Sequence, residues 1–267
     1  MFNMDFNSNI KAYSQTNLRA CQLKQLAILE EIDKICKRHQ IEYWLDGGSL
    51  LGAVRHGGFI PWDDDIDIGM TLEDEKRFEA IAPKELPEWL FLQTPKTDPG
   101  SKEPITKIRD VNSLYIENGD DFGHSYVKGI FVDIFPFVDY PDISRKWIKT
   151  LTKGISKSYS ILHHKHDYSL RSFAEFFYFS AKYYAFRGLW KLVNLMGKKT
   201  RCSDVPILNG RGISFDKKAL KPLGTIKFEG KEFPAPCNPD SYLTDLYADT
   251  TCREARVPLY FHPARAK

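Results

Sequence analysis

The segment 43–68 reads YWLDGGSLLGAVRHGGFIPWDDDIDI and joins a glycine turn to a cluster of carboxylates. Gly47, Gly48 and Ser49 follow a short apolar run that is typical of a strand. A turn without β-carbons lets backbone N–H groups approach an anion closely. We therefore predict that Gly48 and Ser49 contact substrate phosphates through backbone N–H groups and the serine hydroxyl, while Gly47 permits the turn. A turn with a structural role alone is the alternative.

Asp65 and Asp67 alternate with Ile66 and Ile68, which is the periodicity of a β-strand. Both carboxylates then project from one face of the strand while the isoleucines enter the core. Two carboxylates on one face repel each other unless a cation lies between them. Hard oxygen ligands favour Mg²⁺ or Mn²⁺, ions that commonly also bind substrate phosphates. We predict that Asp65 and Asp67 are catalytic metal ligands.

A third carboxylate is needed to hold two divalent ions about 3.5–4 Å apart, the arrangement used in many phosphoryl transfers. Asp133 is the candidate, because it interrupts the apolar run IFVDIF at 130–135. A buried carboxylate without a partner is costly. The alternatives are an aspartate at a strand end and one paired with a lysine.

The neighbouring acids Asp63 and Asp64 have more than one interpretation. One of them orients the metal ligands or accepts the proton of an attacking hydroxyl, or both lie in a solvated turn. A calcium loop starting at Asp63 is excluded, because Ile68 occupies its glycine position and Asp74 its final glutamate position. A Walker-type phosphate loop is excluded as well, because no Gly-Lys-Ser/Thr follows the glycines.

Between the two half-motifs lie three further candidates for binding the substrate. Arg55 and His56 place positive charge near a pyrophosphate, and an arginine fork matches phosphate oxygens. The alternative is a charged helix surface. Trp62, beside the acids, is a candidate for cation–π contact with a cationic headgroup. A tryptophan that anchors the loop in the core is the other possibility.

Three segments carry a resemblance to a known family. They are GGSLLGAVRHGGFIPWDDDIDIGM at 47–70, KGIFVDIFPF at 128–137 and KFEGKEFPAPCNPDSYLTDLYAD at 227–249. The chain resembles the LicD family, the phosphocholine transferases of bacterial surface glycans, which share a catalytic domain with fukutin and fukutin-related protein. In the last segment Ala248 replaces the glycine expected in a Tyr-Gly-Asp step. Lys107 and Arg109 resemble the basic pair of the family, which implies contact with the donor phosphates; exposed strand cations are the alternative.

The resemblance implies an α+β fold of the nucleotidyltransferase type, in which a mixed sheet is flanked by helices and carries a helical insertion. It implies a metal-dependent transfer of phosphocholine, or of a related phospho-alditol, from a CDP-linked donor. The acceptor is a hydroxyl of a surface glycan or of its lipid-linked precursor, and CMP is released. Two rivals stay open: a nucleotidyltransferase that releases pyrophosphate, and a non-catalytic relative that binds glycans or membranes.

The charge distribution divides the chain. Residues 143–201 contain thirteen lysines and arginines and two acids, a net charge of +11, which leaves −8 for the remainder of a chain whose total is +3. We predict a catalytic core at 1–142, a helical basic and aromatic subdomain at 143–201, and a segment at 202–267 that completes the catalytic domain. The basic segment favours an anionic membrane surface, and no nucleic acid is expected among the partners.

Targeting and redox signals are weak. The polar N-terminus lacks the regions of a signal peptide, and no run is long and apolar enough to span a membrane. We expect a cytoplasmic protein that is peripheral on the inner face of the membrane if the basic segment binds there. Five cysteines without CxxC spacing indicate neither a disulfide framework nor a zinc site.

Local patterns predict most elements. Helices are predicted at 17–39, at 71–85 with Thr71 as its cap, across 143–197 and at 240–247. Strands are predicted at 41–45, 65–70, 90–94, 105–110, 114–118, 130–137 and 225–228. Residues 197–222 are predicted to be a loop.

Overall fold

The computed structural model describes residues 3–101, 104–116, 125–163 and 169–247. Its helices are α1 (Asn3–His39), α2 (Gly47–His56), α3 (Leu72–Glu85), α4 (Arg145–Leu162), α5 (Leu170–Met196), α6 (Lys217–Leu220) and α7 (Pro239–Tyr247). Its strands are β1 (Tyr43–Leu45), β2 (Asp67–Thr71), β3 (Leu90–Gln93), β4 (Thr106–Asp110), β5 (Phe131–Tyr140), β6 (Arg201–Asp204), β7 (Phe215–Asp216), β8 (Gly224–Phe228) and β9 (Lys231–Ala235). The fold is α+β, as predicted.

The first of two compact units contains the chain up to Phe135 together with Leu223–Ala235. Its strands follow the order β1-β2-β5-β4-β3, and β8 and β9 form a separate hairpin. The pairs β1–β2, β3–β4 and β4–β5 are antiparallel. Ile66 and Ile68 are fully buried, as predicted. The strand itself begins at Asp67 rather than at Asp65, so Asp65 precedes β2.

Among the described residues, the second unit contains Pro136–Pro222 and 236–247. Within it, the last part of β5 pairs with β6, and β6 pairs with β7, both antiparallel. Helices α4 and α5 pack together as a hairpin. Their shared core is a cluster of buried apolar side chains: Tyr140, Ile148, Leu151, Ile155 and Trp190.

Several sequence predictions are confirmed. The Thr71 side chain accepts a hydrogen bond from the Asp74 N–H at 3.1 Å and caps α3. The structure has the predicted helices in 143–197 and near 240–247, and the predicted strands on β3, β4, β5 and β8. No helix among the described residues has the length and apolarity needed to cross a membrane.

Other predictions need correction. Gly47 and Gly48 begin a helix, α2, rather than forming only a turn before a linker. The stretch 197–222 contains β6, β7 and α6, whose short runs lack clear periodicity, and is not a loop throughout. The strand expected at 114–118 is absent from its described part, residues 114–116. Residues 117–118 and Ala248 lie outside the described residues, and the division into three domains stays a prediction.

Candidate active site

The first turn of α2 lies directly against two carboxylates. Gly47 has φ of +53°, a conformation that favours glycine. A β-carbon on Gly47 would lie 2.6 Å from an oxygen of Asp67, and one on Gly48 would lie 2.7 Å from an oxygen of Asp63. Both distances are too short for non-bonded atoms. A side chain at either position would therefore have to displace the carboxylate of Asp63 or Asp67 from the helix start.

Ser49 stabilises the approach of Asp67 to the start of α2 through a buried hydrogen bond. Its side chain is buried, and its Oγ accepts a hydrogen bond from the backbone N–H of Asp67 at 2.9 Å. The Asp46 N–H donates to the Asp67 carbonyl at 3.0 Å, so the start of α2 and the start of β2 are fixed to each other. The hydroxyl of Ser49 thus positions a candidate metal ligand, and its predicted contact with a phosphate stays a prediction.

Three carboxylates form a close group beside this helix end, and two more lie on adjoining backbone. Asp63, Asp64 and Asp65 each offer one oxygen within 4.8 Å of the other two, the only such acidic group found in the described part of the chain. Asp67 begins β2, and the Asp133 N–H on β5 donates to the Ile66 carbonyl at 2.9 Å. The structure therefore brings the predicted ligands Asp65, Asp67 and Asp133 onto adjoining backbone, with Asp63 and Asp64 beside them.

The acids raise one another's pKa values. Burial, followed by the charges of Asp65 and Asp64, raises the pKa of Asp63 to about 7. Burial and the Asp64 charge raise the pKa of Asp65. Burial and the charges of Asp65 and Asp133 raise the pKa of Asp67 well above its usual range. These carboxylates cannot all be ionised near neutral pH without a counter-charge.

This donor set fits divalent cations. All the groups offer hard oxygen atoms, which Mg²⁺ and Mn²⁺ prefer. A cation that replaces shared protons would relieve the repulsion that raises the pKa values. Asp65, Asp67 and Asp133 stay the predicted ligands. The geometry places Asp65 in one close group with Asp63 and Asp64, whose oxygens could hold an ion together.

The two predicted basic residues of β4 have different surroundings. Lys107 is buried opposite Asp133, with its Nζ 3.1 Å from Asp133 Oδ1 and 4.0 Å from the centroid of the Phe131 ring. Arg109 is buried too, but its Nε donates to Gln93 at 2.6 Å and its Nη1 to the Gly129 carbonyl at 2.9 Å. Lys107 therefore belongs to the acidic cluster. The hydrogen bonds given above for Arg109 instead join it to Gln93 and Gly129.

The remaining predicted contacts lie at the edge of the site. Arg55 and His56 are exposed in the last turn of α2, about 10 Å along the helix axis from Gly48 at 1.5 Å per residue. The structure does not gather them with the acids. Trp62 is 43% exposed next to the carboxylates, so the interpretation as a core tryptophan is wrong and its ring is accessible.

Sequence reasoning missed the residues that hold the acidic loop. Gln22 and Gln25 of α1 donate through Nε2 to the backbone carbonyls of Asp63 at 2.8 Å and Asp64 at 2.6 Å. Both glutamines are buried. Tyr115 donates its hydroxyl to the Asp64 carboxylate. The sequence feature that could have identified them is a pair of glutamines, three residues apart, on the apolar face of an amphipathic helix.

The segment between the glycines and the acids is fixed by the β8–β9 hairpin. Glu229 at its tip accepts from Arg19 at 2.6 Å and from the Phe59 N–H at 3.1 Å. Its own N–H donates to the Gly57 carbonyl at 2.8 Å. The hydrogen bond from Arg19 and, after it, the one from the Phe59 N–H lower the pKa of the Glu229 carboxyl. The third segment of the family resemblance therefore supports the loop that carries the acids.

The fold and the site define an α+β domain in which a glycine helix start faces a carboxylate cluster. A comparison with protein families matches residues 40–193 to the family described as LicD/FKTN/FKRP, nucleotidyltransferase domain. The match covers more than half of the chain. This protein belongs to that family.

Similar curated proteins share shorter segments. Lipopolysaccharide cholinephosphotransferase LicD of Haemophilus influenzae is 46% identical over 77 residues, 29% of each chain. An uncharacterised protein of Rickettsia typhi is 41% identical over 78 residues, 29% of this chain and 25% of the relative. Ribitol 5-phosphate transferase FKRP of Homo sapiens is 58% identical over 41 residues, 15% of this chain and 8% of the relative. The matched segments thus span less than a third of these relatives.

Proposed function

We propose that this protein is a metal-dependent transferase. It moves phosphocholine, or a related phospho-alditol such as ribitol phosphate, from a CDP-linked donor to a hydroxyl of a surface glycan or its lipid-linked precursor. The observation that carries the proposal is the close approach of Asp63 and Asp67 to the first turn of α2, beside the acidic group of Asp63, Asp64 and Asp65. Family membership and the activities for which the relatives are named support the choice of a phospho-group as the transferred group.

In this proposal Asp65, Asp67 and Asp133 hold Mg²⁺ or Mn²⁺. A bound divalent ion supplies charge that offsets the negative pyrophosphate and the developing negative charge of the leaving group. The protein's part is to hold the ligands in place. Ser49 fixes the backbone of Asp67 from behind, and the Ile66 carbonyl fixes the backbone of Asp133.

The other residues of the site orient the donor and handle one proton. Backbone N–H groups in the first turn of α2 have no partner within the helix and favour anions. The acceptor hydroxyl forms a bond to the phosphorus of the transferred group, the bond from that phosphorus to the CMP oxygen breaks, and CMP leaves. The hydroxyl proton passes to Asp63 or Asp64. Of the two, Asp64 is exposed and is oriented by Tyr115.

Trp62 completes the proposal for a choline donor. Its exposed ring beside the acids offers a face to a quaternary ammonium group. A ribitol or glycerol headgroup carries no positive charge and gains nothing from that face. Trp62→Leu is therefore expected to weaken CDP-choline binding and to leave CDP-ribitol binding unchanged, as measured by calorimetry with Asp65→Asn protein to prevent turnover.

The test of the reaction is product identity. The full chain is incubated with Mg²⁺ or Mn²⁺ and, separately, CDP-choline, CDP-ribitol, CDP-glycerol or CTP, and nucleotide products are resolved by chromatography. We expect slow release of CMP from one CDP-linked donor through transfer to water, and none from Asp65→Asn protein. Pyrophosphate released from CTP would support a nucleotidyltransferase instead. Lack of product with every donor, in protein that binds Mn²⁺, would favour a non-catalytic relative.

A further inference from the structure

Helix α5 is apolar on nearly all sides. Its inner face carries Phe186, Trp190 and Val193, which pack against the core that α4 and β5 share. The outer face is also apolar and lies in solvent. Its exposed large side chains are Phe173, Phe176, Phe177, Tyr178, Tyr184, Leu189, Leu192, Leu195 and Met196. We call these nine residues the outer face of α5.

Such a surface is unusual on a protein helix. A helix that is hydrophobic all round is normally buried, in a core or in lipid. Leu195 and Met196 are 80% and 87% exposed, and Tyr184 is 68% exposed. Isolated exposed apolar residues need no explanation, but a contiguous patch of them marks an interaction site. The outer face of α5 therefore needs something to cover it.

The charges of α5 border this face. At 100° per residue, Arg187 and Lys191 lie on one flank of the outer face, at angles between those of Phe176 and Tyr184. Arg171 and Lys182 lie along its other edge. Lys198 and Lys199 follow the end of the helix. The one acid in α5, Glu175, accepts from Arg171 Nε at 3.0 Å and so lies among cations. An apolar strip between two rows of positive charge is the pattern of a helix that lies in a membrane surface.

We propose that the outer face of α5 binds an anionic lipid surface. The helix lies in the plane of the headgroups, with its aromatic and aliphatic side chains at the acyl boundary and its cations at lipid phosphates. The positive charge of this segment argues against a second copy of the chain as the partner that covers the outer face of α5. Residues 143–201 carry a net charge of +11, and packing two such segments together would bring like charges into contact.

Helix α4 adds to the same positive field. Its exposed lysines are Lys146, Lys149, Lys153 and Lys157, and an exposed tryptophan, Trp147, lies among them. Tryptophan and lysine together are typical of interfacial segments. The α4–α5 hairpin therefore offers both the apolar contact and the charge that an anionic membrane requires. The proposal stands apart from the proposed reaction, because lipid binding needs neither donor nor metal.

The test is sedimentation of the full chain with vesicles of phosphatidylcholine alone or mixed equally with phosphatidylglycerol. We expect binding to the mixed vesicles only, and a loss of binding as salt rises. The double variant Phe177→Gln and Leu192→Gln should weaken binding by at least about tenfold, because it removes apolar contact. Arg187→Gln with Lys191→Gln should weaken it by roughly twenty-five-fold, at about fivefold for each charge near an anionic surface.

A matched control separates this face from general stickiness. Leu23 of α1 is 49% exposed and lies outside the hairpin, so Leu23→Gln should leave binding unchanged. Circular dichroism checks that each variant is folded. Equal binding to both kinds of vesicle, binding unaffected by the α5 variants, or a stable dimer in sedimentation equilibrium that the α5 variants dissociate would each overturn the proposal.

Discussion

The acidic site of the first unit and the α4–α5 hairpin of the second unit use charge in opposite ways. In the site, Asp133 and Lys107 are buried, and neighbouring carboxylates raise the pKa values of Asp63 and Asp67. In the hairpin, the lysines and arginines are mostly exposed, and the unusual groups are the apolar side chains beside them. The site therefore contains buried charged groups, whereas the hairpin carries apolar side chains that are exposed to solvent.

The difference matters because the strength of an ionic interaction depends on its surroundings. Two unit charges 4 Å apart interact by about 1 kcal/mol in water and by about 4 kcal/mol near a protein surface. Single substitutions in the site should therefore have large effects on stability or rate. Single charge substitutions in the hairpin should hardly affect folding.

The largest effect is expected at Asp67. Asp67→Asn keeps the volume of the side chain but removes a predicted metal ligand, so the rate of CMP release should fall by roughly a thousandfold or more. The same change removes one charge from a repelling group whose pKa is raised. The metal-free variant should therefore unfold at the same temperature as the parent at pH 8, or at a higher one. Near-parental turnover at saturating Mg²⁺ would refute the predicted metal site.

Lys107→Met should have the largest effect on folding. It leaves Asp133 shielded from water without its cation, and breaking a buried ion pair in this way costs about 3–5 kcal/mol. The measurement is urea unfolding of the metal-free protein. The matched control is Arg38→Met, which breaks the exposed pair with Glu85 and should cost under about 1 kcal/mol. Similar costs for the two variants would show that Asp133 is not shielded.

Glu75 offers a test of burial by pH. Burial is the main cause that raises its pKa to about 7 from 4.5, and the Thr106 hydroxyl lies 2.9 Å from the carboxylates of both Glu75 and Glu79. The folded protein then holds a proton that the unfolded chain releases, so stability falls as pH rises from about 4.5 to about 7.

Glu75→Gln should remove the part of that slope that Glu75 contributes, because glutamine does not titrate, and should leave the part from the site aspartates. Thermal unfolding at pH 5 and at pH 8 checks this, with parent and variant compared at each pH. The difference in unfolding temperature, variant minus parent, should be larger at pH 8 than at pH 5. An identical pH profile for the two proteins would contradict the raised pKa.

A smaller effect is expected at Gln25. Gln25→Leu removes the hydrogen bond to the Asp64 carbonyl and leaves that acceptor without the amide, at a cost of about 1–3 kcal/mol. The variant should also bind Mn²⁺ more weakly, as followed by electron paramagnetic resonance. Gln15→Leu, on the same helix but remote in sequence from these contacts, serves as the comparison for altered helix propensity. Unchanged Mn²⁺ affinity in the Gln25 variant would show that the hydrogen bond from α1 does not support metal binding.

The smallest effect is expected in the hairpin. Arg171 and Glu175 form an exposed i,i+4 pair at 3.0 Å, a kind of pair worth about 0.3–0.5 kcal/mol. Glu175→Gln should therefore leave the unfolding midpoint nearly unchanged. It also removes the one acid of α5, so binding to anionic vesicles should strengthen slightly. A large loss of stability would show that charges in the hairpin are coupled as strongly as those in the site.

Local periodicity determined a good part of this protein. The alternation of Asp65 and Asp67 with isoleucines, the Thr71 cap of α3 and the helical pattern of 143–197 all follow from side-chain direction along a single element. The three quoted motifs also pointed to the family, and the family match confirms that assignment. These features depend on residues that are close in sequence, so the sequence alone could show them.

Tertiary structure decided which groups meet. Only the register of β4 against β5 places Lys107 beside Asp133, and only the packing of α1 brings Gln22 and Gln25 to the acidic loop. The outward side of α5 could not be read from its sequence, because both faces are apolar. Such contacts join residues far apart in the chain, and their geometry is set by sheet register and helix packing, which no local pattern encodes.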